Sequence, residues 1–270
     1  MTNITPVQAP NSAGTPAWGS KPARVKKIVI LGATSGIVLE VQRQLARRGC
    51  ELLLVARSPQ RLAAVQADLR IRGASRVLTY SADLSSIAQH NGVLECACRE
   101  FPDFDTVLLA YGSMHNQKDS ETSVEVLLEE LQVDFLSAAA ILTLFAAELE
   151  RRRMGCIAAI TSVAGDRGRR FNYVYGSAKG GLSLFLQGLR SRLHPAGVRV
   201  ITVKPGPVQT PMTDGLPNAA QFADPQRVAR DIVGSLERRS PDVLYTPRIW
   251  RYIMAAVKLF PETIFKRLPL

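Results

Sequence analysis

The sequence predicts an α/β fold in which a doubly wound, parallel seven-stranded sheet forms a single domain. Three observations support this prediction. The chain has 270 residues, of which 46% are hydrophobic, and this is enough to bury the core of one domain. From residue 26 onward, short runs rich in β-branched residues alternate with longer helical patterns, which is typical of parallel strands joined by crossover helices. No internal repeat is visible.

The elements follow each other in regular order. The predicted strands cover residues 27–31, 51–55, 76–81, 106–110, 156–161, 198–203 and 243–245. The predicted helices cover residues 36–48, 59–72, 85–100, 121–153, 173–193 and 225–238. In such a sheet the ligand crevice lies beyond the carboxyl ends of the strands, where connections diverge to opposite faces. We therefore expect the functional residues in the loops after strands one, four, five and six.

The ends of the chain differ from its centre. Residues 1–22 are rich in Pro, Asn, Ser, Thr and Gly and lack the apolar core of a signal peptide. We expect a flexible tail there, a catalytic domain over 23–246 and a distinct C-terminal segment over 247–270. The four cysteines show no zinc or redox spacing, so we predict that they are reduced, that the protein is cytoplasmic, and that it has no metal site.

The formal net charge of +11 favours anionic partners, such as phosphorylated cofactors, acidic lipids or nucleic acid. Charge alone does not choose among these. The basic residues are scattered along the chain and accompany no recognition motif, so we do not expect nucleic-acid binding.

A glycine-containing turn follows the first strand. Residues 31–38 read LGATSGIV, which places two glycines and several small residues where a helix begins. Such a turn lets backbone N–H groups approach a pyrophosphate at the positive end of the helix dipole. The predicted phosphate-binding residues are Gly32, Thr34, Ser35, Gly36 and Ile37. The alternative is an ordinary strand-to-helix turn, because this motif is a weak signal when taken alone.

The end of the second strand indicates which dinucleotide is bound. An NAD-specific site needs an acidic residue there to hold the ribose 2′-hydroxyl, but Ala56 occupies that position and Arg57 follows it. The guanidinium of Arg57 offers a planar, permanently charged fork to a 2′-phosphate. This pattern favours NADP(H) over NAD(H), with a solvated loop arginine as the alternative.

A serine, a tyrosine and a lysine supply the candidate chemistry. Ser162 ends the fifth strand, and Tyr175 and Lys179 follow it four residues apart on a predicted helix. Residues with this spacing share a helix face, so the ammonium can lie beside the phenol and stabilise its anion. We expect Lys179 to lower the pKa of Tyr175 toward neutrality, and Ser162 to polarise a substrate carbonyl.

This serine, the Tyr-x-x-x-Lys motif and the phosphate loop, in this order, resemble the short-chain dehydrogenase/reductase family over nearly all of residues 26–245. The resemblance implies a Rossmann fold and assembly into a dimer or tetramer. It further implies that Tyr175 exchanges the proton, that Lys179 also holds the nicotinamide ribose, and that Ser162 orients the carbonyl while NADPH delivers hydride.

The resemblance also implies further cofactor contacts. Asp83 and Leu84 correspond to the segment that contacts the adenine, although Asp83 can instead cap the following helix. The sequence KPGPVQT at residues 204–210 corresponds to the loop beside the nicotinamide. The implied contacts after strands four and six are Ala110, Gly112, Pro205, Gly206, Val208 and Thr210.

Several positions depart from the family pattern. Val38 stands where the third glycine of the phosphate loop permits close helix packing, and Ala110-Tyr111-Gly112 replaces Asn-Ala-Gly. Asp134 replaces the asparagine of the catalytic tetrad. A carboxylate there can still position a water for Lys179, but its charge opposes a phenolate on Tyr175.

The C-terminal segment combines aromatic, apolar and basic residues. Its apolar part is too short to span a membrane, and Pro261 interrupts it. Trp250 and Tyr252 among basic residues suit a helix in the headgroup region of an anionic membrane. The alternative is a helix that covers the substrate cleft or a dimer interface. The basic residues are Arg248, Arg251, Lys258, Lys266 and Arg267.

This segment, together with the sequence AYGSMHNQ at residues 110–117, is similar to the branch of the family that contains decaprenylphosphoryl-2-ketoribose reductase. The likeness implies a lipid-linked keto-sugar as substrate and peripheral contact with the inner face of the membrane. Two other function classes stay open: a reductase of another bulky ketone of acyl, steroid or polyketide type, and a protein that binds NADP as a structural or regulatory ligand. The intact Ser162, Tyr175 and Lys179 argue against the last.

Overall fold

A computed structural model describes residues 26–215, 219–237 and 241–268. The predicted flexible tail, residues 1–22, lies outside them. The strands are β1 Lys27–Leu31, β2 Glu51–Ala56, β3 Arg76–Ser81, β4 Thr106–Leu109, β5 Cys156–Ile160, β6 Arg199–Pro205 and β7 Val243–Thr246. They form one sheet in the order β3-β2-β1-β4-β5-β6-β7, and every neighbouring pair is parallel. The predicted doubly wound, seven-stranded sheet is confirmed.

Ten α-helices occur in the described parts of the chain: α1 Gly36–Ala46, α2 Pro59–Ile71, α3 His90–Glu100, α4 Gln117–Thr122, α5 Val124–Leu131, α6 Ser137–Arg152, α7 Tyr173–Leu193, α8 Pro225–Glu237, α9 Ile249–Leu259 and α10 Glu262–Phe265. Five of them, α1, α2, α3, α7 and α8, each match one predicted helix; α7 has the predicted ends, and α1, α2 and α3 each differ at one end. The C-terminal segment, for which both interpretations of the sequence expected a helix, contains α9 and α10.

The predicted helix over residues 121–153 is wrong in detail. A separate short helix, α4, comes first, and Ser123 then adopts an extended backbone and caps α5, its hydroxyl oxygen accepting a hydrogen bond from the Val126 N–H at 3.3 Å. Residues Gln132–Leu136 form a π-helical turn between α5 and α6. Apolar periodicity does not encode this change of hydrogen-bond pattern, so the sequence predicted one regular helix.

The inner strands, such as β1, β2, β4 and β5, are buried on both faces because helices cover both sides of the sheet, whereas the edge strand β3 is partly exposed. Ile28 and Ile30 pack into one hydrophobic cluster with α1 and α8, while Val29 and Leu31 pack into another with α3, α6 and α7. The alternation follows from the two-residue period of a strand. This arrangement leaves the carboxyl edge of the sheet free for the loops.

The stretch Val124–Arg152 is, within the described residues, the one helix long and apolar enough to cross a membrane by length and composition. Its α6 part is a core helix, because Ile141, Phe145 and Leu149 are completely buried in the second cluster. Length and apolarity therefore reflect packing on the sheet.

Candidate active site

The turn after β1 brings the chain close to the loop after β4. Gly32 has a φ of +92°, and a Cβ added there would lie 2.7 Å from the backbone nitrogen of Tyr111. Only glycine tolerates both the left-handed backbone and this close approach. The turn is fixed by the N–H groups of Gly32 and Ala33, which both donate to the Val55 carbonyl, at 2.9 and 3.0 Å.

Helix α1 begins directly after this turn with a free N-terminus. Ser35 is its N-cap residue, and the side chain of Ser35 makes no capping hydrogen bond. The first N–H groups of α1 therefore lack a side-chain acceptor at Ser35 and can bind an anion at the positive end of the helix dipole. Val38 is completely buried in the first cluster, so helix α1 packs on the sheet without the third glycine.

The residues after β2 and β3 lie farther along the carboxyl edge of the sheet. Arg57 is exposed, and the carbonyl oxygen of Arg57 accepts a hydrogen bond from the Ser81 hydroxyl at 3.0 Å, which joins the two loops. The Asp83 carboxylate accepts hydrogen bonds from the Ser85 N–H at 3.0 Å and its hydroxyl at 2.7 Å. These bonds hold the pKa of Asp83 below its usual range. Asp83 thus forms a local turn with Ser85 but does not cap the helical turn that begins at Ile87, and a contact with adenine stays a prediction.

Many of the predicted site residues line one cavity. They come from the loops after β1, β4, β5 and β6 and from α7, as the topology requires. The shared lining comprises Ser35, Ile37, Ala110, Gly112, Ser162, Tyr175, Lys179, Pro205, Gly206, Val208 and Thr210. Gly36 adjoins this cavity, since a Cβ added to Gly36 would lie 3.0 Å from Thr210 Cβ. Thr34, Arg57, Asp83 and Leu84 do not line it.

Ser162 and Tyr175 meet at the base of this cavity. Ser162 precedes a short 3₁₀ turn, Val163–Asp166, and its hydroxyl oxygen accepts a hydrogen bond from the Ala164 N–H at 3.1 Å. The Ser162 side chain lies close enough to the Tyr175 hydroxyl to lower the pKa of Tyr175. Lys179 Nζ lies 5.7 Å from the centre of the Tyr175 ring, one turn along α7. The spacing predicted this arrangement.

Asp134 contacts Lys179 directly, whereas the sequence led us to expect a water between the two side chains. Lys179 Nζ is 2.8 Å from Asp134 Oδ1, and the Asp134 side chain is completely buried. The Ser113 N–H, in the loop after β4, donates to both carboxylate oxygens at 3.2 and 3.3 Å. A Cβ added at Gly112 would collide with Asp134 and Lys179, so this position needs glycine.

The net pKa shift of Tyr175 is opposite to the expected one. Burial raises the pKa of Tyr175 above its ordinary value, and the Asp134 carboxylate adds to this effect. The Lys179 ammonium acts in the expected direction but is outweighed. Burial also disfavours the Lys179 ammonium, yet Asp134 more than compensates and raises the pKa of Lys179. The expected net lowering is therefore wrong for this structure.

The C-terminal segment packs on the active-site loops. The Trp250 indole of α9 lies so close to Gly206 that a Cβ there would collide with it. Arg167, in the loop between β5 and α7, donates to the Val257 carbonyl at 2.8 Å and to the Phe260 carbonyl at 2.6 Å. Its guanidinium also stacks 3.9 Å from the centre of the Phe265 ring. One face of the segment thus covers loops that adjoin the candidate cavity.

The other face of the segment is exposed and largely apolar. Tyr252 is 69% exposed and Leu259 is 83% exposed, although α9 buries Met254 completely. The remaining apolar residues on this face are Ile249, Ile253, Phe260 and Ile264. The basic residues Arg248, Arg251, Lys258, Lys266 and Arg267 are also exposed.

Sequence reasoning missed several residues that shape the site. Asp166 is buried, forms an ion pair with Lys204, and accepts a hydrogen bond from the Tyr245 hydroxyl at 2.6 Å. These contacts tie the loop after β5 to β6 and β7. Arg169 lines the cavity itself. Such contacts join residues far apart in the chain, and no motif marked them. Within the described ranges, no group of three or more His, Cys, Asp or Glu side chains is placed to hold a metal ion.

Comparisons with known proteins agree with this geometry. The family model described as short chain dehydrogenase matches residues 26–221. An uncharacterized oxidoreductase of Mycobacterium tuberculosis is 35% identical over 242 residues, covering 90% of this chain and 96% of that protein. The ketoacyl reductase HetN of a Nostoc species is 24% identical over 249 residues, covering 88% of this chain and 86% of that protein.

Solved structures show the same architecture. A short-chain dehydrogenase from Sphingobium yanoikuyae in complex with NADPH is 25% identical, with a TM-score of 0.75, and the match covers 86% of this chain and 94% of that chain. An alcohol dehydrogenase from Thermococcus sibiricus complexed with 5-hydroxy-NADP is 26% identical, with a TM-score of 0.72 and coverage of 82% and 94%.

Proposed function

The chain belongs to the short-chain dehydrogenase family of oxidoreductases, and from that premise we propose that it reduces a bulky, lipophilic ketone with NADPH or runs the reverse oxidation with NADP⁺. One observation carries the proposal. Ser162, Tyr175 and Lys179 line a largely apolar cavity together with residues of the loops after β1, β4 and β6. This is the arrangement that carbonyl reduction requires, because an acid and a carbonyl-orienting hydroxyl lie beside the dinucleotide loops.

The residues present fit an NADP cofactor. The close approach at Gly32 and the uncapped N-terminus of α1 form a cradle for a pyrophosphate. Arg57 stands exposed beyond β2, where no acid competes for a 2′-phosphate. NADPH accompanies one of the two related solved structures, and 5-hydroxy-NADP accompanies the other. The bound cofactor supplies or accepts the hydride.

Residues of the chain itself orient the substrate carbonyl and transfer the proton. The Ser162 hydroxyl donates a hydrogen bond to the carbonyl oxygen, and the Tyr175 hydroxyl gives that oxygen its proton during reduction. Lys179 stays protonated because of Asp134. Its positive charge therefore stabilises the Tyr175 phenolate that is left after the proton is transferred. Asp134 and Ser113 fix the ammonium in place.

The cavity wall favours a lipophilic substrate. Met114, Ile160, Val163, Met212 and Phe222 line it beside the catalytic residues. The relative named a ketoacyl reductase supports an acyl ketone as one candidate. A lipid-linked keto-sugar, implied by the similarity to the decaprenylphosphoryl-2-ketoribose reductase branch, stays a prediction.

The exposed face of the C-terminal segment suits an anionic bilayer surface. Its apolar side chains, such as Tyr252 and Leu259, lie next to exposed basic residues that attract anionic headgroups. We therefore place the protein in the cytoplasm with peripheral contact at the inner face of the membrane. Assembly into a homo-oligomer, a dimer or tetramer, also stays a prediction.

A second candidate follows from the ion pair between Asp134 and Lys179. Because the carboxylate neutralises the ammonium at 2.8 Å and opposes a phenolate, the chain can also be a weakly active protein that binds NADP for regulation. Measured turnover of ketones distinguishes the reductase function from the regulatory one.

The test is NADPH oxidation with a panel of lipid-linked, acyl and small soluble ketones, with and without membranes. We expect turnover with at least one lipophilic ketone. We expect Y175F to reduce kcat at least 100-fold while leaving the NADPH dissociation constant nearly unchanged, because it removes only the proton donor. Tyr173 is exposed on the first turn of α7, so Y173F is the matched control. NADPH binding without turnover on any ketone would favour the regulatory function.

A further inference from the structure

Arg169 lines the candidate cavity without an acidic partner. It lies in the loop between β5 and α7 and shares the cavity with Ser162 and Tyr175. Among the described residues, the hydrogen bond of its side chain runs from Nη2 to the thioether sulfur of Met254, at 3.3 Å. A guanidinium carries five N–H donors, and a thioether is a weak acceptor. Most of the hydrogen-bonding capacity of Arg169 is thus unused by the described protein groups.

The surroundings make this charge unusual. The cavity wall beside Arg169 is mostly apolar, and burial lowers the pKa of its guanidinium. The nearest acid along the chain, Asp166, is already engaged by Lys204 and Tyr245. The other cavity cation, Lys179, is paired with Asp134. The charge of Asp166 acts on Arg169 through space, but Arg169 is the cavity cation that forms no ion pair among the described residues.

A second polar group lies close by in the sequence and lines the same cavity. The side-chain oxygen of Asn172 is buried and has no hydrogen-bond partner among the described groups. Buried polar atoms are nearly always hydrogen-bonded in native proteins, so this oxygen is free to accept a hydrogen bond from a donor in the cavity, such as a water or a substrate hydroxyl. The cavity therefore combines an apolar wall with two unsatisfied polar groups next to Tyr175.

We propose that Arg169 determines substrate specificity: its guanidinium binds an anionic group, a phosphate or a carboxylate, that the substrate carries near the carbonyl held by Ser162 and Tyr175. The inference rests on the proposed reductase function of this site. An oxyanion satisfies several N–H donors through charge-assisted bonds and compensates the buried charge. A neutral ketone provides neither strong acceptors for these N–H donors nor a negative charge, so we expect the site to bind it less well.

The experiment compares matched ketones. Oxoalkyl phosphates with one to six methylenes between carbonyl and phosphate are assayed against the oxoalkyl alcohols of the same length. In the wild-type protein we expect a higher kcat/KM for one phosphate than for its alcohol. R169M should lower that ratio by about 10- to 100-fold, as expected for loss of a charge-assisted contact, mainly through KM. R169K keeps the positive charge but loses the planar, bidentate guanidinium, so it should retain part of the preference for the phosphate over the alcohol.

The control is R170M, because Arg170 is the next residue and its side chain is exposed. A structural role of Arg169, acting through Met254 and α9, would lower kcat for both members of each pair and leave their ratio unchanged. The anion could also belong to the cofactor rather than the substrate. The NADPH dissociation constant separates the two sources, since R169M should leave it unchanged.

Direct binding gives a readout that does not depend on turnover. With NADP⁺ present, decyl phosphate should raise the thermal midpoint of the wild-type and R170M proteins more than decanol does, and R169M should lose that difference. Equal kcat/KM for phosphate and alcohol, or an unchanged ratio in R169M, would overturn the inference while leaving the reductase function intact. Absence of turnover on every ketone, with the decyl phosphate effect retained, would overturn the reductase function alone.

Discussion

At the scale of single residues, the ion pair between Asp134 and Lys179 sets the charge of the candidate site. Removing a buried ion pair from water is costly, so it persists only where further hydrogen bonds support it. Ser113 supplies such bonds from the loop after β4. The pair keeps Lys179 cationic. Burial, together with the Asp134 carboxylate, raises the pKa of Tyr175 against the opposing effect of Lys179, and this keeps the proton donor protonated.

This electrostatic coupling predicts a pH shift in D134N. Removing the carboxylate lowers the pKa of Tyr175, because a nearby negative charge disfavours the phenolate. Ketone reduction needs the protonated phenol and declines as pH rises through that pKa, so the decline should occur at lower pH in D134N. Alcohol oxidation needs the phenolate, so its rise should also occur at lower pH. Profiles of kcat against pH in both directions provide the measurement.

The matched control for this shift is D119N. Asp119 is exposed on α4 and its substitution changes the net charge equally. Glu130 is the other buried acid that acts on Tyr175 and stays in place in both variants. Identical profiles for D134N and the wild-type protein would mean that Asp134 does not control the proton donor.

Arg57 carries the prediction of cofactor preference. R57A should weaken NADPH binding by about 1–3 kcal/mol, as expected for a lost charge-assisted contact, and should leave NADH binding nearly unchanged. Titration of protein fluorescence or calorimetry gives both dissociation constants. R47A is the control, since Arg47 is exposed at the C-terminal end of α1, away from the phosphate turn. Equal losses for the two cofactors in R57A would contradict the assignment to a 2′-phosphate.

Residues joined by local spacing were predictable, and residues joined by distant contacts were not. Tyr175 and Lys179 lie four apart on one helix, so the sequence alone places them together. The contact of Asp134 with Lys179 spans 45 residues and was expected only through a water. Arg169 was missed because an arginine in a loop has the same sequence signature whether it is solvated or buried.

At the scale of elements, the strands were predicted well because buried parallel strands are continuous apolar runs. Each predicted strand overlaps an observed one, and the ends differ by at most two residues. The π-helical turn Gln132–Leu136 shows where this reasoning stops. Such turns often occur at functional sites, and this one contains Asp134. Its hydrogen-bond pattern depends on tertiary contacts, which a hydrophobic pattern does not reveal.

The C-terminal segment illustrates the same limit. Its composition left a membrane surface and a cleft cover equally open. In the structure Trp250 and Met254 on one side contact the active-site loops, while Tyr252 and Leu259 on the other side are exposed. Both faces are apolar, so composition indicates that each needs a partner but not which partner it has. The anchoring carbonyl contacts of Arg167 were likewise beyond the reach of sequence.

At the scale of the whole molecule, net charge and the exposed segment act together. The formal charge of +11 attracts the protein to anionic surfaces over distances of about a Debye length, roughly 8–10 Å at physiological salt. The apolar side chains of α9 then provide short-range contact with the headgroup region. Because the other face of α9 packs on the active-site loops, attachment would place the cavity near the bilayer.

This coupling predicts reversible binding of the full-length protein to vesicles. Cosedimentation should increase with the fraction of anionic lipid and weaken with salt. Each basic residue near the surface contributes about 1 kcal/mol, so R251Q/K258Q should weaken binding about 30-fold. Y252S/L259S should weaken binding even at low salt, because it removes apolar contact.

The control for charge is K118Q, since Lys118 is exposed on α4, outside the C-terminal segment. K118Q removes one charge and R251Q/K258Q removes two, so a loss of binding free energy in K118Q half as large as in the double variant would show that net charge alone attracts the protein to the vesicles. If the wild-type protein stays in solution at low salt with fully anionic vesicles, the exposed apolar face of α9 instead faces another protein chain. The same variants would then change the oligomeric state, because Tyr252 and Leu259 would lie in that interface.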